Sequence, residues 1–314
     1  MKKVFAFVFF VMIAWAGYAS ACEFCTLHNG LGQYNIGGDF YSITERYTSA
    51  SAAVNGGQVV PAGSNTDGYA IQINTVQFLY QHSYSDDLKG VFSLPYFSKH
   101  SSLNNGVDES DADSGIGDAT AMLKYRAWSG HSDQHLWVYG GFKLPTGAYH
   151  YTAPSGPGGT GLINPDLVLG TGSLDYLVGF AYTQNIGSFS WAFDTLYKIS
   201  NEGYDGYQFG NVLNWGLSGY YRLHNSWNAG LGLVSELTAS DVDRSGNFLN
   251  PGGIQAPGVV PNTGGNVIYG QPTIQYVNQN NYIDLSYQLP VYRYFTGVQT
   301  VVDSKIIIAY RHAF

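Results

Sequence analysis

From about residue 38 to its end, the chain is built of segments in which apolar and polar side chains alternate one by one. Side chains along an extended strand point to opposite faces in turn. A period of two therefore commits each segment to a strand with one apolar face. Such segments read at roughly 38–48, 67–83, 88–99, 115–128, 135–146, 172–184, 189–199, 209–223, 227–238, 267–277, 281–293 and 302–314. In 189–199, Phe189, Trp191, Phe193, Tyr197 and Ile199 share one side, while Ser190, Ala192, Asp194 and Lys198 share the other. In 209–223, Leu213, Trp215, Leu217, Tyr221 and Leu223 oppose Asn214, Ser218 and Arg222. In 281–293, Ile283, Leu285, Tyr287, Leu289 and Val291 oppose Asp284, Ser286 and Gln288. The polar side of 67–83 changes phase near Asn74-Thr75, which reads as a bulge.

The breaks between these segments alternate in length. Short ones fall at Ser85–Asp87, Ser129–Gln134, Asn185–Ser188, His224–Ser226 and Gln279–Asn280, and long ones at 49–66, 100–114, 147–171, 200–208, 239–266 and 294–301. Short periplasmic turns alternating with long outer loops are the pattern of an outer-membrane barrel, as is an even number of strands. Composition agrees. Charged residues make up only 11% of the chain and aromatics 16%, with 26 Tyr and 40 Gly; tyrosine favours the lipid–water boundary. Beyond the first residues no apolar run is long enough for a spanning helix. The expected fold is all-β: a closed, membrane-spanning antiparallel barrel of about twelve strands at 38–314, in the outer membrane of a Gram-negative bacterium. A secreted β-sandwich or adhesin is the runner-up. The formal net charge of −8 argues against a nucleic-acid partner.

Both ends fit that destination. Lys2 and Lys3, the apolar run Val4–Ala16 and the small residues Ala19-Ser20-Ala21 read as a signal peptide over 1–21. Cleavage there leaves Cys22 first, which also admits a lipoprotein. Residues 22–37 then form a periplasmic or plug-like segment. At the other end, Phe314, His312, Tyr310, Ile308 and Ile306 lie on one strand face, opposite Ala313, Arg311, Ala309, Ile307 and Lys305. Such an ending resembles the C-terminal strand that the barrel-assembly machinery reads, making that machinery and outer-membrane lipid the expected partners.

Charge facing lipid costs about 2–4 kcal/mol for Lys or Arg at the midplane. Phasing the strands by their apolar faces therefore sends Lys124, Arg126, Lys143, Lys198, Arg222, Lys305 and Arg311 inward, with Asp118, Asp194, Glu236 and Asp284; Arg46 joins them. These are the candidate lumen-lining residues. They read either as paired charges filling the interior or as a mildly cationic passage for small solutes. The acids Asp108, Glu109, Asp111 and Asp113 read as a solvated outer loop, since their spacing is not that of a twelve-residue calcium loop.

Cys22-Glu-Phe-Cys25-Thr-Leu-His28 offers two thiols and an imidazole. A disulfide between Cys22 and Cys25 suits an oxidising compartment. The same atoms also suit Cu or Zn, which would make the chain a metal-binding protein or a barrel-anchored docking protein. No cofactor is otherwise expected. Haem attachment calls for His directly after the second Cys, where Thr26 stands. An enzyme is not expected. Gly130-His131-Ser132-Asp133-Gln134 is the string nearest to the His-x-Ser-Asn-Gly pattern of the twelve-stranded outer-membrane phospholipases, and it falls in a short turn on the periplasmic side.

Ser114-Gly-Ile-Gly-Asp118, Lys124-Tyr-Arg126, Gly141-Phe-Lys-Leu-Pro-Thr-Gly147, Leu169-Gly-Thr-Gly-Ser-Leu-Asp175 and Leu289-Pro-Val-Tyr292 occur in that order. Over roughly 67–314 the chain resembles the outer-membrane transporters named for the meta pathway of phenol degradation, a family distantly similar to fatty-acid and aromatic-hydrocarbon channels. The resemblance implies a barrel that passes small, often apolar or aromatic, molecules.

Overall fold

The alternating segments do form strands. In the computed structural model, which describes residues 38–60, 69–103, 110–131, 133–149, 168–203, 206–246 and 257–314, the elements in order are β1 (Phe40–Gly56), β2 (Gln58–Val59), β3 (Tyr69–Ser83), β4 (Leu88–Leu103), β5 (Ser110–Ile116), β6 (Ala119–Gly130), β7 (Gln134–Leu144) and β8 (Asp175–Ile186). There follow β9 (Phe189–Ile199), β10 (Tyr207–Gln208), β11 (Val212–His224), β12 (Trp227–Thr238), β13 (Val242–Asp243), β14 (Gly258–Val259), β15 (Gly265–Asn278) and β16 (Asn281–Ala313).

Each long strand pairs antiparallel with its neighbours in the order β1-β3-β4-β6-β7-β8-β9-β11-β12-β15-β16, and β16 pairs back onto β1. The ring of long strands thus closes on itself, as a strand structure in lipid requires. These eleven elements make twelve crossings. At about 3.4 Å per residue, the 33 residues of β16 would extend far beyond any barrel wall. Instead β16 folds back at Thr296-Gly297, where Gly297 takes φ +69°. Its first leg follows β15 from Asn278↔Asn281 to Gly265↔Phe295, and its second follows β1 from Asn55↔Val298 to Phe40↔Ala313. The Ala313 N–H donates to the Asn280 carbonyl at 2.9 Å, tying the two legs together.

The five short turns lie where the sequence places them, at the end of the barrel that also holds Phe40 and Ala313. That rim is aromatic. Tyr41 and Tyr80 each stand 6.5 Å from Phe314, and Trp227 stands 5.0 Å from Tyr276. Just before β1, Asp39 accepts from the Ser83 N–H at 2.7 Å and contacts the His82 ring at 2.7 Å. The backbone N–H first, and then His82, hold its carboxyl below the usual range. The apolar faces named from sequence are the outer ones: Ile283, Leu285, Tyr287, Leu289 and Val291 are exposed, whereas Asp284, Ser286 and Gln288 are buried.

The structure corrects several expectations, mostly at the outer end. The expected long break at 49–66 is partly strand, because β1 runs on to Gly56 and meets β2 through Val54↔Val59. The one at 100–114 is also shortened, because β4 reaches Leu103 and β5 begins at Ser110. Asp111 and Asp113 thus belong to a strand paired with Ser101 and Lys99, not to a loop. The break at 294–301 is a tight hairpin. Within 239–266, β13 and β14 join β10 in a small separate sheet. The expected bulge at Asn74-Thr75 does not form, since β3 keeps unbroken register with both β1 and β4. The polarity change there has another cause: Asn74 points outward and donates to the outward-facing Glu45 at 3.0 Å. Residues 1–37, and with them the signal segment, Cys22, Cys25 and His28, lie outside the described residues, as do Asp108 and Glu109.

Candidate functional site

The inner wall divides into three levels. At the outer end, three of the sequence motifs meet. The β5–β6 edge breaks at Gly117-Asp118, turning Asp118 inward toward Lys143 of β7. Lys143 Nζ lies 2.6 Å from Asp118 Oδ2 and 3.1 Å from Asp175 Oδ2, with all three side chains wholly buried. Lys143 also bonds the Thr171 hydroxyl. Asp118 accepts from the Thr171 N–H at 2.9 Å, the Thr171 hydroxyl at 2.8 Å and the Gly147 N–H at 3.0 Å. Asp175 accepts from the Ser173 hydroxyl at 2.8 Å and the Asn201 N–H at 2.9 Å. One cation shared by two carboxylates thus draws the segment before β8 into the barrel, with Leu169, Thr171 and Ser173 all buried.

Around the closing hairpin the charges are paired. Arg311, on the second leg of β16, bonds Asp284 on the first, and the other Asp284 oxygen accepts from Gln275 Nε2 at 2.7 Å. Lys305 lies 3.4 Å from Glu236 and 4.2 Å from the centre of the Tyr269 ring. Arg46 is buried too. Its contact is the Thr75 hydroxyl at 3.5 Å, while its Nε and Nη1 make no hydrogen bond.

Nearer the short turns the wall combines apolar residues and cations with the buried Asp194, level with Trp137 through Trp137↔Ala181↔Asp194. Trp137, Tyr139, Met122, Val91 and Leu79 pack in one buried cluster. Around the Trp137 ring centre stand Lys124 Nζ at 4.8 Å, Lys89 Nζ at 5.0 Å and Arg126 Cζ at 5.7 Å. Arg126 reaches the periplasmic rim, where Asp87 accepts from its Nε at 2.7 Å.

Of the residues phased inward from sequence, Asp118, Lys124, Lys143, Asp194, Lys198, Glu236, Asp284, Lys305 and Arg311 are buried. Arg126 is partly exposed at the rim. Arg222 departs from the expectation. Its position alternates correctly, but it is exposed at the end of β11 beside Asp133, Tyr220 and Asn228, because the strand outruns the wall there. Sequence reading missed Asp175, Lys89 and Lys99. The two lysines were within reach, since Leu88, Phe92, Leu94 and Tyr96 mark the opposite face of β4 as the outer one. Asp175 was within reach in the same way, since Leu174, Tyr176 and Val178 mark the opposite face of β8 as the outer one.

Gly141 sits inward between Tyr139 and Lys143, directly against the backbone of β6. A Cβ there would collide with the Ala121 carbonyl oxygen and stand 2.6 Å from Met122 Cα. Backbone yields less readily than a side chain, so Gly141→Val is expected to cost about 1–3 kcal/mol. A lower urea midpoint for the folded barrel is the readout; an unchanged midpoint would show that the strands separate freely.

An apolar outer face, an aromatic rim at the turn end, a closed antiparallel ring and a charged interior together define a multi-pass outer-membrane β-barrel. The family model described as "Putative MetA-pathway of phenol degradation" matches residues 48–292. The chain belongs to that family, as its central motifs suggested. It superposes on the COG4313 outer membrane channel from Pseudomonas putida F1 with a TM-score of 0.65 and 12% identity, covering 90% of this chain and 97% of that one. Looser superpositions include the CymD monoaromatic hydrocarbon channel (TM-score 0.46, 11% identity, 96% and 95% covered) and the NanC porin (0.46, 8%, 87% and 100%). No curated protein matches the sequence significantly.

Proposed function

We propose that this protein is an outer-membrane channel for passive movement of small solutes, small apolar or aromatic molecules among them. The observation that carries the reading is the inner wall. Lysines and arginines from β1, β4, β6, β7, β9 and β16 point inward inside a ring whose outer face is apolar. Enclosing charge costs desolvation, and a barrel serving only as an anchor would be filled more cheaply with apolar side chains. A polar, cationic wall instead offers solutes partners along a path through the apolar membrane. The side chains lining it are deeply buried, so the passage suits small solutes. On this reading the barrel is a conduit and no bond is made or broken in it. Its partners are the solute, the surrounding lipid and the machinery that assembles barrels. Liposome swelling tests the reading: vesicles carrying the folded barrel are expected to swell in erythritol faster than empty vesicles, and equal rates would refute it.

A further inference from the structure

Around β6 and β7 the periplasmic half of the lumen is filled, with Met122, Trp137 and Tyr139 buried there. Along β9, β11 and β12 the inward positions Ala192, Gly216, Ser218 and Gly232 take up little space. At the turn end of that side a cavity of about 230 Å³ opens. Asn185, Ser190, Tyr220, Arg222 and Asn228 line it, joined by Asp133 from the turn between β6 and β7. Strand pairing sets the lining, since Arg222 stands opposite Asn228 and Tyr220 opposite Ser190. At about 30 Å³ per water, the space holds roughly seven waters, or one small solute.

The lining carries one charge of each sign. Arg222 and Asp133 border the same cavity, yet among the described residues neither side chain makes a hydrogen bond or ion pair. The charge of Asp133 does reach His135. An anion drawn to Arg222 is repelled by Asp133, and a cation meets the reverse. A neutral solute gains from neither charge. A solute with separated positive and negative ends is favoured by both, and the Asn185 amide and Ser190 hydroxyl add hydrogen-bonding partners.

We propose that this cavity is a solute-binding site and that it takes small zwitterions of the amino-acid type. The carboxylate lies against the Arg222 guanidinium, whose planar fork suits it, and the ammonium lies against the Asp133 carboxylate. Weak binding at a mouth gathers a solute without holding it, which speeds its passage. The site rests on the channel reading and deepens it by naming a class of solute.

Alanine and lactamide are isomers, one zwitterionic and one neutral, so they compare charge at constant size. Vesicles carrying the full-length barrel, corrected for empty vesicles, are expected to swell about fivefold faster in alanine than in lactamide, the worth of two solvated charge contacts. Arg222→Gln with Asp133→Asn should bring the ratio to about one, and each substitution alone should lower it part of the way. Both side chains are exposed, and asparagine tolerates the positive φ at position 133, so the variants are expected to fold. Arg222→Lys, which keeps the sign, should retain most of the preference. A ratio near one in the parent, or one that the double substitution leaves unchanged, overturns the proposal. Swelling in lactamide and erythritol without a preference for alanine refutes the site alone. No swelling in any of the three removes the channel and the site together.

Discussion

Replacing Lys143 with methionine is expected to lower the stability of the folded barrel by about 3–5 kcal/mol, the cost of leaving a buried charge without its partner. Lys143 is the cation between Asp118 and Asp175, and none of the three side chains touches solvent. Its loss leaves two enclosed carboxylates whose remaining donors are Thr171, Gly147, Ser173 and Asn201. The segment 168–174 should then loosen at Thr171, whose N–H Asp118 holds, while Lys99 on Val168 and the Ala148 carbonyl on Gly170 still tie its start. Urea unfolding in lipid should give a lower midpoint, and proteolysis should begin in that segment. Lys143→Met combined with Asp118→Asn and Asp175→Asn should recover most of the loss, since neutral amides keep part of the hydrogen bonding without the charge. A single Lys143→Met variant as stable as the parent would mean that the latch holds nothing.

The second large effect lies at the closure. Arg311→Met strands Asp284 across the fold of β16, again at about 3–5 kcal/mol. The location decides what is lost. Asp284 and Arg311 sit on the two legs of one hairpin, and that hairpin joins the last strands to the first. Hydrogen exchange should rise along the second leg and its partner β1, while β8 and β9, on the far side of the ring, keep their protection. Uniform loss around the ring would show instead that the pair has no local role. Arg311→Lys should recover part of the stability, because a point charge replaces the fork but keeps the sign.

Most of the transmembrane wall was legible because lipid leaves a strand few options. An apolar face must point outward and a charged one inward, so alternation alone placed Asp194, Asp284, Lys305 and Arg311. The even spacing of short turns placed the periplasmic rim. What escaped were features that depend on neighbours far along the chain. Alternation sends Asp175 inward, but only the pairing of β8 with β7 brings Lys143 beside it. Asn74 breaks the polarity of β3 and resembled a bulge, but Glu45 on β1 satisfies it from outside and the register stays intact. The outer loops were drawn too long because their residues have weak two-faced patterns, yet β1, β4 and β5 continue there on hydrogen bonds to their neighbours. Arg222 was phased correctly and misplaced in depth, since alternation gives the face of a strand but not its height in the membrane.

Single-channel recording in planar bilayers tests the central claim most directly. Folded, heat-modifiable barrel added to a potassium chloride gradient is expected to give small, discrete conductance steps whose reversal potential favours chloride, as a wall rich in inward lysine and arginine requires. A folded barrel that inserts and yields no steps, or steps that favour potassium, would contradict the reading of this interior as a cationic passage.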